Sequence, residues 1–158
     1  MTDKKKNLLS DESSEAFYLR PGRTIGYLLR DCNRTFVRAL EAKIKPHGIL
    51  VGEWFFLREL WMEDGLTQAE LALRVGMTAP TTVVAIRRIV EKGLAVRKRD
   101  TEDRRKVKIC LTDKGRRSRD ALLPLARDVS IAATEGFSEE EIREFQSLFD
   151  RMKENLAE

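Results

Sequence analysis

The sequence predicts a mainly α-helical protein that carries one small β-hairpin. Apolar residues recur at steps of three and four along most of the chain, which is the spacing of amphipathic helices. The step changes to two in only one pair of short segments. Two capping-box patterns, Thr67 to Glu70 and Ser138 to Glu141, mark where helices begin. A length of 158 residues suits a single domain or one protomer of an oligomer.

The net charge is small but unevenly distributed. Lys and Arg number 30 against 26 Asp and Glu, a net +4, and such a mild excess is a weak sign of nucleic-acid binding. Residues 97–119, however, hold eleven basic and four acidic side chains, so the rest of the chain is net negative. The positive charge is therefore local, and it points to one surface that binds a polyanion.

Composition argues against several classes of protein. No segment approaches the roughly 18 consecutive apolar residues of a membrane helix, and the Lys-rich start leads into acidic residues, unlike a signal peptide. We expect a cytoplasmic protein with no membrane partner. Two cysteines and one histidine are too few for a disulfide framework or a metal site, and no glycine-rich phosphate loop or nucleophile elbow is found. The sequence predicts no enzyme, no cofactor and no metal.

The first two ordered helices follow a polar leader. Residues 1–16 lack apolar periodicity and are expected to form a mobile tail, with order beginning near Phe17. Thr24 can cap a helix that ends before Pro46. A second helix runs from about Val51 to about Gly65.

The next two helices are short and closely joined. The box at Thr67 opens the first, and Gly76 supplies a left-handed exit. Thr78 can cap the second, which tolerates Pro80 in its first turn and ends near Gly93. Two short helices with so tight a turn form a helix-turn-helix.

A basic hairpin follows directly. Its predicted strands are 94–97 and 107–111, separated by the polar segment 98–106. A helix-turn-helix followed by a basic hairpin predicts a winged helix, which would bind duplex DNA.

The chain closes with two helices. The first is expected to begin at Thr112 and Asp113 and to be kinked at Pro124, and the second begins at Ser138. The helix that begins at Ser138 has an apolar stripe of Ile142, Phe145, Leu148, Phe149, Met152 and Leu156. Together with the apolar stripe of the helix that begins at Thr24, it offers more apolar surface than a small lobe can cover. The two terminal stripes predict a homodimer.

Candidate DNA contacts follow from the expected faces of these elements. If Thr82, Ala85, Ile86 and Ile89 pack inward, the outward residues of the second short helix are Thr78, Pro80, Thr81, Val84, Arg87 and Arg88. In the hairpin we expect Asp103 to orient an arginine, Arg104 or Arg105 to enter a minor groove, and Lys106 to add charge. The alternative is that Thr78 serves only as a cap and that Arg87 and Arg88 are ordinary solvated residues.

The sequence resembles the MarR family of bacterial transcription regulators over about residues 24–156. The resemblance rests on the segments 52–54, 66–72 and 91–94, and above all on 100–105 leading to 111–115. It implies a homodimer in which each protomer spans 17–158. In each protomer, helices within 24–45 and 113–156 form the dimer interface, and residues 51–112 form a winged helix-turn-helix lobe. It places Asp103, Arg104 and Arg105 in the family's wing. Val84 stands where many members have an arginine, which shifts base reading towards Arg87, Arg88 or the wing.

The resemblance also implies release of DNA by a small aromatic, commonly anionic, effector. The elements that line the family's pocket carry Tyr27, Arg30, His47, Trp54 and Arg58 here. The function expected is a ligand-responsive repressor that binds a pseudo-palindromic operator.

Redox sensing through a cysteine is the alternative mode of regulation. Cys32 lies in an apolar stripe, where a thiol stays protonated and inert, so Cys110 beside two lysines is the better candidate. A protein-interaction module also stays open, although it would not need the basic hairpin.

Overall fold

The computed structural model describes residues 24–157, which are mostly helical with one three-stranded antiparallel sheet. The fold class predicted from the sequence is confirmed. The polar tail at 1–16 and the start of order near Phe17 lie outside the described residues. The chain divides into two compact units between Ala39 and Leu40.

Helix α1 spans Ile25–Ile44; its residues 25–39 lie in the first unit and its last turn lies in the second. The Thr24 hydroxyl accepts a hydrogen bond from the Tyr27 amide at 3.3 Å, which is the cap that the sequence predicted. The apolar stripe of α1 is present, but Ile25, Leu28 and Cys32 are exposed in the single chain. Cys32 thus lies in the apolar stripe, as predicted, with its side chain exposed in the single chain.

The second unit contains the remaining elements. A 3-10 turn at Lys45–His47 follows α1, and Gly48 adopts a φ of 75°. The helices are α2 (Val51–Met62), α3 (Gln68–Val75), α4 (Ala79–Glu91), α5 (Asp113–Ala133) and α6 (Glu139–Leu156). The strands are β1 (Leu66–Thr67), β2 (Ala95–Arg99) and β3 (Val107–Leu111), in the order β1-β3-β2.

The sheet differs from the predicted hairpin in two ways. Strand β1 was not predicted, because two residues are too few to show a period of two, and its Leu66 pairs with Ile109. Strand β2 continues to Arg99, two residues beyond the predicted end, because Arg99 still pairs with Val107. The wing is thus anchored on three strands.

The core of this unit holds the helix-turn-helix in place. Phe56 and Leu57 of α2 are fully buried with Ile86 and Ile89 of α4 and with Leu122 of α5. The buried face of α4 consists of Thr82, Ala85, Ile86 and Ile89, as predicted. The opposite face of α4 is left at the surface.

Helix α6 stands apart from this core. Its capping box is formed as predicted, with the Ser138 hydroxyl accepting from the Glu141 amide at 3.2 Å. None of its described residues is buried. Phe145 is 51% exposed and Leu148 is 49% exposed, so the predicted apolar stripe is uncovered in the single chain.

No single helix within residues 24–157 is long and apolar enough to cross a membrane. The bent pair of α3 and α4 meets such a test by combined length and composition only.

Candidate nucleic-acid interface

Helices α3 and α4 form the helix-turn-helix. They are bent by 113° relative to each other across a break that contains Gly76, whose φ of 69° is left-handed. Glycine adopts this conformation without the penalty that a Cβ would bring. The capping box that begins α3 is formed, since the Thr67 amide and the Thr67 hydroxyl both donate to the Glu70 carboxylate at 2.7 Å. These hydrogen bonds lower the pKa of Glu70 below its ordinary value.

The start of α4 differs in one detail from the prediction. Thr78 occupies the capping position, but its hydroxyl makes a 3.0 Å hydrogen bond with the Thr81 hydroxyl and none with a described backbone amide. Pro80 lies in the first turn, as predicted, where a missing amide hydrogen costs little. The first-turn amides and both threonine side chains are therefore left near the surface.

The exposed face of α4 contains all the outward residues that the sequence predicted. These are Thr78, Pro80, Thr81, Val84, Arg87 and Arg88. Val83 is exposed as well and was not predicted. Arg87 lies 3.6 Å from Glu91, but both side chains are mostly exposed, so this pair holds the guanidinium only weakly.

A buried ion pair fixes the far end of α4. The Glu53 carboxylate on α2 is buried, accepts a hydrogen bond from the Leu50 amide and receives the Lys92 ammonium at 2.5 Å. The same ammonium donates to the Gly48 carbonyl at 2.7 Å. Sequence reasoning missed this pair. The only local sign was that Glu53 occupies the third position of α2, where a carboxylate can reach back to the cap.

Asp100 organises the wing loop and was also missed. Its carboxylate receives the Lys108 ammonium at 2.5 Å and accepts hydrogen bonds from the amides of Glu102 and Asp103. These contacts, the Lys108 hydrogen bond foremost, hold the pKa of Asp100 well below its ordinary value. The pKa of Lys108 is raised in turn by the same hydrogen bond. The conformation of the loop between β2 and β3 is therefore fixed by an ion pair and hydrogen bonds, in addition to the loop being charged.

The arginines of the wing project from this loop. Asp103 accepts from the Arg105 backbone amide at 3.1 Å and from Arg105 Nε at 3.3 Å, the pairing predicted for one of the two arginines. The Arg105 side chain is still 93% exposed. Arg104 and Lys106 are exposed, and neither makes an ion pair with a residue in 24–157. Two arginines and a lysine thus face solvent from one tip.

Comparison with known proteins assigns the chain to a family. The MarR family model matches residues 47–106. A MarR transcriptional regulator from Methanosarcina mazei Go1 is 30% identical to this chain, with a TM-score of 0.76, and the match covers 83% of this chain and 94% of that one. The chain belongs to the MarR family.

Two further relatives are informative. MepR of S. aureus, in a crystal structure with DNA, is 25% identical with a TM-score of 0.77 over 84% of this chain and 98% of that one. The transcriptional regulator TtmR of Methylorubrum extorquens (strain PA1) is 35% identical over 81 residues, 51% of this chain. That match covers 42% of TtmR, so the chain spans less than half the length of this curated relative. The relatives are regulators and not enzymes, which agrees with the prediction that the chain is no enzyme.

The residues predicted to line the effector pocket of this MarR chain lie in different surroundings. On α1, the Arg30 guanidinium lies 5.2 Å from the centre of the Tyr27 ring. In the second unit, Trp54 is buried against Trp61, with ring centres 5.5 Å apart, so core packing accounts for it without a ligand. Arg58 lies at the surface beside Glu59, and His47 borders a cavity. Their role in binding an effector stays a prediction.

The two cysteines of this MarR protein are both free. Cys32 is exposed and Cys110 is partly exposed. No disulfide joins them, and neither belongs to a cluster of metal-ligating side chains within residues 24–157. Redox sensing stays a prediction for which the structure adds no contact.

Proposed function

We propose that this chain is a DNA-binding transcription regulator that acts as a homodimeric repressor. The observation that carries the proposal is the arrangement of α4 and the wing on one lobe. Helix α4 keeps its six predicted contact residues at the surface, and the wing exposes Arg104 and Arg105 beside an internally fixed loop.

The two elements match the two grooves of a duplex. A major groove about 12 Å wide admits one α-helix, whose N-terminal residues then meet base edges. Thr78 and Thr81 would contact phosphates or bases there, and Arg87 and Arg88 would reach further along the groove. The wing arginines suit a minor groove, where a narrow A·T tract concentrates negative potential.

The relatives support this proposal. MepR is seen with DNA and is similar to this chain over most of its length. The uncovered stripe of α6 supports a homodimer, whose twofold symmetry would place two lobes on a pseudo-palindromic operator. A cytoplasmic location stays a prediction.

Release by a small aromatic anion completes the proposal. Such an effector must bind the DNA-incompetent form more tightly, and a hundredfold loss of DNA affinity requires about 2.7 kcal/mol of differential binding. Among the described residues, the Tyr27 and Arg30 pair offers the aromatic and cationic chemistry that an aromatic carboxylate would contact.

Enrichment of genomic DNA fragments by the purified protein, followed by fluorescence anisotropy on the enriched sequence, tests the proposal. We expect the enriched sequence to be a pseudo-palindrome. We also expect the logarithm of the binding constant to fall linearly with the logarithm of the salt concentration, with a slope of about −0.9 for each phosphate neutralised. Arg104→Ala should weaken binding most on A·T-rich flanks, whereas Arg127→Ala on α5 is the matched control and should leave affinity unchanged. Failure to enrich any sequence, or binding insensitive to salt, would overturn the proposal.

A further inference from the structure

The exposed face of α4 has an apolar centre. Val84 is 40% exposed, whereas the buried residues of the same helix are at most 7% exposed. Helix positions three and four residues apart are neighbours on the helix surface. For Val84 these positions are Pro80, Thr81, Arg87 and Arg88. All four belong to the predicted DNA contacts, so Val84 lies in the middle of the surface that would face the duplex.

Val83 is exposed to a similar extent but lies to one side of this face. Its exposed fraction is 44%. Its neighbours at three and four positions are Ala79, Pro80, Ile86 and Arg87. Because Ile86 is fully buried, Val83 lies between the exposed face and the core side of the helix. It is therefore a matched control for Val84.

The groups around Val84 suit a polyanion. Arg87 and Arg88 are exposed next to it, and the wing on the same lobe exposes Arg104 and Arg105. Guanidinium groups bind phosphate oxygens or guanine edges through charge-assisted hydrogen bonds. These cations supply the affinity for DNA, whereas Val84 has no charge and no hydrogen bond to contribute.

An aliphatic side chain distinguishes bases only by contact with an apolar group. In the major groove the edges of guanine, adenine and cytosine present hydrogen-bond donors and acceptors, whereas thymine adds its C5-methyl group. A polar base edge pressed against Val84 would lose water without gaining a hydrogen bond, which costs free energy. Contact with a methyl group instead removes apolar surface from water on both sides.

We propose that Val84 recognises a 5-methylpyrimidine in the operator, through contact with the C5-methyl group of a thymine in the major groove. One thymine in each half-site is selected in this way. The inference rests on the function proposed above, because it requires α4 to lie in the major groove. 5-Methylcytosine has the same methyl group at the same ring position, so Val84 accepts it as well.

Replacement of thymine by uracil in the enriched operator tests the contact, because uracil lacks only the methyl group. Fluorescence anisotropy with the full chain measures each single replacement. We expect one thymine per half-site at which uracil weakens binding by about fourfold, and about fifteenfold when both half-sites are changed, which is the effect of losing one methyl contact in each. The other thymines of the operator are internal controls for changes in the duplex itself. Equal affinity for thymine and uracil at every position would overturn the proposal.

A methylated cytosine separates methyl contact from hydrogen bonding. At the sensitive position, a 5-methylcytosine·guanine pair should bind about fourfold more tightly than a cytosine·guanine pair. The hydrogen-bonding groups of these two pairs are the same, so only the methyl group can produce the difference. No gain from the methyl group would show that the position is read through hydrogen bonds and would contradict the role of Val84.

Three variants assign the effect to one side chain. The ratio of thymine to uracil affinity should fall towards one in Val84→Ala, and it should be retained in Val84→Ile and in the control Val83→Ala. Both alanine changes are at exposed helix positions, where alanine favours the helix, and circular dichroism with thermal unfolding checks that each variant is folded. The ratio compares two DNAs with the same protein, so a general loss of folded protein does not change it. A ratio unchanged in Val84→Ala, or lost in Val83→Ala, would overturn the assignment.

The two proposals fail in different ways. Sequence-specific, salt-dependent binding without any methyl-sensitive thymine overturns the role of Val84 and leaves the regulator intact. Failure to enrich any DNA sequence overturns the regulator, and the role of Val84 with it.

Discussion

At the scale of single residues, Gly115 is the described glycine at which an added Cβ would meet the closest neighbouring atom. A Cβ at this position would lie 1.9 Å from the Leu94 carbonyl oxygen and 3.1 Å from the Leu111 side chain. The Gly115 carbonyl also accepts a hydrogen bond from Trp61 Nε1 at 2.9 Å. Gly115 therefore lets the first turn of α5 pack directly on the base of the wing.

Gly115→Ala should destabilise the lobe by about 1–3 kcal/mol or more, because the clash is with backbone that cannot rotate away. Gly52→Ala is the control. Gly52 lies in the first turn of α2 with open space around it, so alanine there should be neutral or slightly stabilising. Urea unfolding followed by tryptophan fluorescence measures both, and a Gly115→Ala protein as stable as the parent would contradict the close approach.

The pair of Glu53 and Lys92 makes a second prediction at this scale. Lys92→Met should destabilise the protein by ~3 kcal/mol, since it leaves the Glu53 carboxylate, 1% exposed, without its cation. This value is at the lower end of the destabilisation expected when a buried ion pair is broken, because the Lys92 side chain is 34% exposed and water can replace part of the contact.

A double-mutant cycle provides the check. The double variant Glu53→Gln and Lys92→Met should lose less free energy of unfolding than the sum of the losses of the two single variants, because neither residue is then left as an unpaired charge. Lys45→Met, at an exposed lysine, is the control. Strict additivity would show that the two side chains do not interact in solution.

At the scale of elements, the wing depends on one carboxylate. Asp100 ties the Lys108 side chain of β3 to two amides of the loop. The loop closes further through the Asp100 amide, which donates to the Lys106 carbonyl at 3.0 Å. Arg104 and Arg105 therefore extend from a loop with a defined shape.

The wing should lose order in acid and in the Asp100→Asn variant. Because the pKa of Asp100 is lowered by folding, its stabilisation is complete above the ordinary Asp value of about 3.9 and is lost as pH falls below it towards the lowered pKa. The pKa of Lys108 is raised, so its contribution is complete below about 10.4 and is lost as pH rises through the raised pKa.

Amide hydrogen exchange at Glu102 and Asp103 reports this order. We expect protection at pH 6 in the parent, reduced protection at pH 6 in Asp100→Asn, and normal protection in Asp113→Asn, whose carboxylate makes no wing contact among the described residues. Equal protection in Asp100→Asn and the parent would refute the role of this carboxylate.

At the scale of the whole molecule, apolar surface is left uncovered at the C-terminal end. Phe145 and Phe149 pack edge to face with ring centres 4.7 Å apart, yet the α6 stripe to which they belong has no buried residue. Exposed apolar stripes of this kind are typical of interfaces between protomers. Dimer formation is the arrangement that would cover it.

Phe145→Asp and Leu148→Asp should therefore convert the proposed dimer into a monomer, since each places a charge in its interface. Ser147→Asp, on the polar face of the same helix, is the matched control and should remain dimeric. Sedimentation equilibrium gives the mass, and thermal unfolding shows whether the winged lobe stays folded. If both stripe variants kept the dimer mass, α6 would not form the interface.

The sequence by itself determined the features that depend on neighbours along the chain. The helices, the boxes at Thr67 and Ser138, the left-handed Gly76 and the buried and exposed faces of α4 were all predictable. Each is fixed by hydrogen bonds or periodicity within four residues, so the local pattern contains the information. The pairing of Asp103 with Arg105 belongs to the same class.

Only the tertiary structure decided the contacts between distant segments. Lys92 meets Glu53 across 39 positions, Trp61 meets Gly115 across 54, and β1 finds β3 although two residues show no periodicity. The same holds for the cavity that His47 borders, because Leu94 and Lys114, from two other segments of the chain, also line it. These features depend on how the elements pack, and a pattern with a range of four residues does not specify which side chains meet once the core has formed.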